Sequence, residues 1–184
     1  MRRVSVLVGS LSSKSINRSL ARAVTKLATP ALELIEVHLG DIPMLNSEFQ
    51  NDPPLPVWRM KQEIEATDAV LFVSPESNRS VPAVLKNAID WGSRPWGRNS
   101  WANRPGAIIG ASPGPTGTAA MQQHLRTILS PLQVLLMGQP EAYVHYKAGL
   151  IDETHTVTDE RIRALLQSYI DAFVLWIEKQ KASV

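Results

Sequence analysis

Apolar positions along the chain follow two alternating rhythms. Residues 4–8 (VSVLV), 69–73 (AVLFV) and 107–110 (AIIG) are short, nearly continuous apolar runs, the pattern of strands covered on both faces of a parallel sheet. Residues 32–37 (LELIEV) alternate with acids, as a strand nearer an edge does, and 133–137 (QVLLM) make a fifth run. Between these runs the spacing changes to three and four. Ile16, Leu20, Val24 and Leu27 share one helical face, as do Val81, Val84, Leu85, Ala88 and Ile89, and then Met121, Leu125, Ile128, Leu129 and Leu132. The longest stripe joins Ile162, Leu165, Leu166, Tyr169, Ile170, Phe173, Trp176 and Ile177, with Thr158 and Asp159 as candidate caps in front of it.

Strands alternating with helices require right-handed crossovers and a parallel sheet between helical layers, an α/β three-layer sandwich. Five strands in this length fit the flavodoxin-like order 2-1-3-4-5 with helices on both faces. In that topology the ligand crevice lies beyond the carboxyl ends of strands 1, 3 and 4. The loops that carry function are then 9–17, 74–82 and 111–118.

Composition narrows the chemistry. A chain of 184 residues, 44% hydrophobic, suits one buried core better than two, so residues 1–184 are expected to form one domain. The net charge is +2 and the cations are scattered among acids, which argues against nucleic acid as a partner. There is no cysteine, so disulfides, thiolate metal ligands and thiol redox chemistry are excluded, and any electron transfer needs a bound cofactor. No run reaches the roughly 18 to 20 apolar residues that cross a bilayer, and the start MRRVSVLVGS is too short for a signal-peptide core. A soluble cytoplasmic protein without a membrane partner is expected. His38, His124, His145 and His155 lie in separate regions without metal spacing and read as surface or interface histidines.

The first loop sets Gly9, Ser10, Ser12, Ser13, Ser15 and Asn17 before the helix that begins near Ile16. A helix amino terminus has unpaired N–H groups and a partial positive charge, and hydroxyls add donors that rotate to suit, so a phosphate monoester fits there. The stretch lacks both G-x-G-x-x-G and G-x-x-x-x-G-K-[ST], the patterns for pyrophosphate and triphosphate. FMN suits it better than NAD or ATP as a resident group. Serine-rich turns also cap helices with no ligand involved. In the second loop, Pro75 and Pro82 stiffen a segment able to present backbone groups to a planar ring, with Ser80 or Val81 starting the next helix. In the third, Gly114 and Gly117 allow tight turning near a ligand.

Taken together, GSLSSKSINRSLA, DIPMLNSE, PESNRSVPAVLKNAIDWGSRP and GASPGPTGTAAMQQHLR resemble the NADPH-dependent FMN reductase family, which includes bacterial quinone, chromate and azo-dye reductases. The resemblance implies that Ser10, Ser12, Ser15, Ile16 and Asn17 hold the FMN phosphate. It further implies that Pro75, Glu76, Ser77 and Asn78 line the isoalloxazine, with Ser112 and Gly114 across the ring. It implies NADPH or NADH as co-substrate, a ping-pong hydride transfer through flavin to a quinone, azo, metal-ion or free flavin acceptor, and no obligatory side-chain acid or base. The family commonly has arginine where Ser12 stands, and PEYN where this chain has PESN, so Ser77 opens the pocket. Homodimers or homotetramers are usual in the family, and WGSRPWGRNSW, residues 91–101, reads as interface and pocket rim. A flavodoxin-type electron carrier and a weak flavin-binding scaffold are the rival readings.

Overall fold

The structure, a computed structural model, describes residues 1–182. In chain order the elements are β1 (Arg2–Val8), α1 (Ile16–Ala28), β2 (Leu32–Glu36), α2 (Leu55–Glu65), β3 (Ala69–Val73) and α3 (Ala83–Gly92). They continue with β4 (Pro105–Ser112), α4 (Ala119–Leu129), β5 (Leu135–Leu136), β6 (Ala142–His145) and α5 (Glu160–Lys181). The strands pair in parallel in the order β2-β1-β3-β4-β5, as the alternation predicts.

The fifth position in the sheet departs from expectation. The run 133–137 forms a strand only at Leu135–Leu136, which pairs with Pro105 and Gly106, and a sixth strand, β6, takes over against Ile109 to Ser112. Gly138 and Pro140 lie between the two segments, and proline has no N–H to continue a ladder. The sheet therefore has six strands in five positions.

Strand alternation divides the core. Val4, Val6 and Val8 face α1 and α5, where they pack with Leu20, Val24, Ile109 and Phe173. Leu7 and Phe72 face the other way, toward Met60, Ile64, Leu85 and Leu125 of α2, α3 and α4. Asp159 caps α5 by accepting from the N–H groups of Arg161 (2.9 Å) and Ile162 (3.1 Å). Helix α3 begins later than expected: Pro82 is its cap, and residues before it are drawn into a hairpin.

Helix α2 has no counterpart among the helices read from sequence. Its buried face is Val57, Met60, Lys61 and Ile64, helical spacing with a lysine in the middle. Lys61 Nζ donates to the carbonyls of Gly92 (3.0 Å) and Arg98 (2.7 Å) and to Ser100 Oγ (2.8 Å). Burial pulls its pKa down from 10.5 to about 8. This contact organises residues 91–101, and it corrects the reading of that stretch. Trp91 and Trp101 are core residues, 1% and 0% exposed, with indole N–H groups donating to Pro43 O and Ile89 O. Of the three tryptophans only Trp96, 90% exposed, stands out from the loop.

Candidate functional site

Strands β1, β3 and β4 end side by side, with Gly9 N–H bonded to Val73 O and Ser74 N–H to Ile109 O, so the three anticipated loops rise from one edge of the sheet. The backbone comes very close here. A Cβ on Gly110 would sit 2.2 Å from Ser74 O and 2.3 Å from Thr118 Oγ1, so only glycine allows the second and third loops to meet at this distance.

The first loop is shaped by Arg18, which the sequence reading passed over. Its guanidinium donates to Ser12 O (2.8 Å), Ser10 O (3.0 Å) and Glu36 Oε1 (2.9 Å). Two loop carbonyls and the Glu36 carboxylate are thereby occupied. The signal was unreadable locally, because Glu36 belongs to the next strand. Ser15 caps α1 by accepting from Arg18 N–H (3.3 Å), and Ser12 Oγ accepts from Lys14 N–H (3.2 Å). A hydroxyl used as acceptor retains its proton for a ligand. The first turn of α1 leaves the N–H groups of Ile16 and Asn17 without an intrahelical acceptor. A cavity of about 310 Å³ adjoins this turn, lined by residues including Ser13, Ser15, Ile16 and Tyr146.

Asn17 is placed differently from what its implied role suggests. It is 1% exposed, and its side chain donates to Ala111 O (2.9 Å) and accepts from Ala111 N–H (2.8 Å). Its buried amide is committed to joining the first loop to β4, which leaves the backbone N–H as the group that faces the helix front. Ser10 is half-buried and Ser12 exposed on the same loop.

The second loop is a hairpin in miniature. Ser77 and Ser80 exchange both backbone hydrogen bonds (3.0 and 2.9 Å), and the two residues between them, Asn78 and Arg79, have φ of 50° and 64°. Two left-handed residues make a type I′ turn, for which asparagine is among the favoured side chains. Glu76 fixes the hairpin to the third loop's helix: one oxygen accepts from Arg79 Nη1 (3.0 Å), the other from Met121 N–H (3.1 Å) in the first turn of α4. The α4 cap residue, Thr118, makes no side-chain capping bond, so Glu76 supplies an anion where the helix dipole favours one. Pro75 is half-buried, and Ser77 and Asn78 are exposed. In the third loop Ser112 Oγ accepts from Gly114 N–H (2.9 Å), again leaving a hydroxyl proton free.

The residues fit a flavin mononucleotide. Loop 9–17 contains no acid, its bonded hydroxyls are acceptors with protons to give, and Glu36 beside it is paired with Arg18; Asp152 and Glu153 lie on the adjoining cavity's wall together with Lys14 and Arg22. Among the described residues there is no group of three His, Asp or Glu side chains that could hold a metal, and no helix is long and apolar enough to cross a membrane.

Fold and loops define a flavodoxin-like α/β protein. The model of the NADPH-dependent FMN reductase family matches residues 2–149, and the chain belongs to that family. It is thus a flavin-dependent oxidoreductase, with FMN as cofactor and NAD(P)H as co-substrate. It is 40% identical over 179 residues to a 2-hydroxy-1,4-benzoquinone reductase from a Burkholderia species, covering 97% of this chain and 98% of the relative. To a quinone reductase from Pseudomonas putida it is 42% identical over 180 residues, covering 97% and 96%. The flavoenzyme NAD(P)H:(acceptor) oxidoreductase FerB from Paracoccus denitrificans superposes with a TM-score of 0.95 at 44% identity, over 98% of this chain and 99% of that one.

Proposed function

We propose that the protein is an FMN-dependent NAD(P)H:quinone oxidoreductase working by a ping-pong scheme, one flavodoxin-like unit over residues 1–184. The observation that carries this reading is the state of the loop hydroxyls. Ser12, Ser15 and Ser112 each accept a backbone N–H and keep an O–H to donate, which makes the crevice rim a donor surface suited to an anionic, acceptor-rich ligand. Relatives of matching length, named as quinone reductases, support a quinone as acceptor.

In this proposal Ser10, Ser12, Ser15 and the N–H groups of Ile16 and Asn17 hold the phosphate, and Arg18 keeps the loop carbonyls turned away from it. Pro75, Glu76, Ser77 and Asn78 line one edge of the ring, with Ser112 and Gly114 on the opposite side. Bound FMN supplies the capacity to take two electrons from a nicotinamide and pass them to a second substrate. Exposed Ser77, where the family commonly has tyrosine, leaves room over the ring for flat substrates. Action in the cytoplasm as a homodimer or homotetramer, with Trp96 at a subunit contact, belongs to the same proposal. A quinone is preferred over azo, metal-ion and free flavin acceptors on the relatives' names.

The test is spectroscopic. Anaerobic NADPH is expected to bleach the flavin band of the loaded protein, and benzoquinone to restore it, with parallel initial-velocity lines when both substrates vary. A band that NADPH leaves intact would make the protein a carrier of the flavodoxin kind.

A further inference from the structure

His124 lies on α4 and meets the second loop: its Nδ1 and Ser80 Oγ are 2.8 Å apart. Ser80 is rigid, because its backbone N–H and C=O are both paired with Ser77 across the hairpin. That hairpin is in turn fixed to α4 by Glu76, so ring and hydroxyl are held from two sides. A hydroxyl both donates and accepts, and it therefore orients the imidazole in either protonation state. Nε2 has no partner among the described residues, and the side chain is exposed.

Reduction of a quinone, the reaction proposed above, needs a proton as well as electrons. A hydride equivalent from the reduced cofactor leaves one quinone oxygen as an oxyanion, and one proton completes the hydroquinone: quinone, NAD(P)H and H⁺ give hydroquinone and NAD(P)⁺. Within loops 9–17, 74–82 and 111–118 the ionisable side chains are Lys14, Glu76 and Arg79. Lysine and arginine are too basic to give up a proton readily at neutral pH, and the Glu76 carboxylate is occupied as an acceptor from Met121 and Arg79. Imidazole is the side chain most often used for general acid–base work.

We infer that His124, oriented by Ser80, gives the proton that completes acceptor reduction at the rim of the crevice. The imidazolium Nε2–H bond breaks as the O–H bond of the hydroquinone forms, the Nδ1–H to Ser80 contact persists, and solvent returns the proton to Nε2. This rests on the quinone reductase reading. Ser80 is a positioning residue, and the charged groups facing the pair from the hairpin are Glu76 and Arg79.

Stopped-flow on the FMN-loaded protein separates the two half-reactions. His124→Ala is expected to leave flavin reduction by NADPH within about twofold of the parent and to slow reoxidation by benzoquinone by about tenfold or more, with added imidazole restoring the rate. Ser80→Ala should slow reoxidation in part, Ser80→Thr should not, and His145→Gln serves as a control expected to behave as the parent. In flavin-free protein, nitrogen-15 NMR of the His124 ring should show Nδ1 shifting in Ser80→Ala. Reoxidation of His124→Ala at the parent rate, or slowed beyond rescue by imidazole, would overturn the inference and leave the reductase reading standing. Failure of NADPH to bleach the parent protein would remove both.

Discussion

A serine that caps a helix through its oxygen still has a proton for a ligand, and Ser15 at the front of α1 is in that position. Removing it costs the cap, about 1 kcal/mol, and, on the proposed phosphate placement, one charge-assisted contact, roughly 1.5 to 3 kcal/mol. Ser15→Ala should therefore weaken FMN binding by about tenfold or more in a fluorescence titration. Asn17→Ala should act differently: by breaking the tie to Ala111 it should lower the stability of the flavin-free protein as well. Lys61 yields a pH prediction. Its pKa falls from 10.5 unfolded to about 8 folded, so between those values the unfolded chain binds more protons and stability gains from Lys61 as pH rises. Urea midpoints of the parent should show this gain between pH 8 and 10, and Lys61→Met, roughly 2 kcal/mol less stable at pH 7 through its unpaired carbonyls, should lack it. At this scale the sequence marked the serine-rich turn before α1 and was opaque for the contacts of Lys61, Arg18 and Asn17. Lys61 and Asn17 bond to partners tens of residues away, and Arg18 joins two nearby carbonyls to a carboxylate on the next strand, so each side chain's destination depends on the fold.

Among the elements, α4 and the hairpin at 77–80 are coupled through the Glu76 carboxylate and the Ser80–His124 contact. Glu76→Gln retains an acceptor for Met121 N–H and should be mild; Glu76→Ala should raise hydrogen exchange at Met121 by about tenfold and loosen the hairpin. Strands β1 to β4 and α1, α3, α4 and α5 were legible because apolar periodicity is set by burial on a sheet or helix face. Helix α2 was hidden by the polar residue on its inner face, and β6 by its length of four residues and its separation from β5. The hairpin was equally hidden: Asn78 and Arg79 carry no glycine to signal their left-handed conformation.

For the whole molecule, both faces of one sheet are packed, and the two apolar clusters share the strands between them. A single cooperative unfolding transition is expected, with far-ultraviolet circular dichroism and tryptophan fluorescence giving coincident curves. The topology was legible at this level because alternating strands and helices leave few right-handed arrangements. The aromatic-rich stretch 91–101 was not: tryptophan is common both at interfaces and in cores, and only the fold shows Trp91 and Trp101 turned inward.

Arg18 has one more consequence. By donating to Ser10, Ser12 and Glu36 it holds the first loop in the shape proposed above to seat a phosphate. Such a preformed seat spares the chain the entropy of ordering it at each encounter. Stripped of flavin, the protein should still unfold in one cooperative transition, at a temperature lowered only by the lost ligand, and recharge in one concentration-dependent phase, whereas Arg18→Ala should recharge with an added slow step as the rim gathers itself.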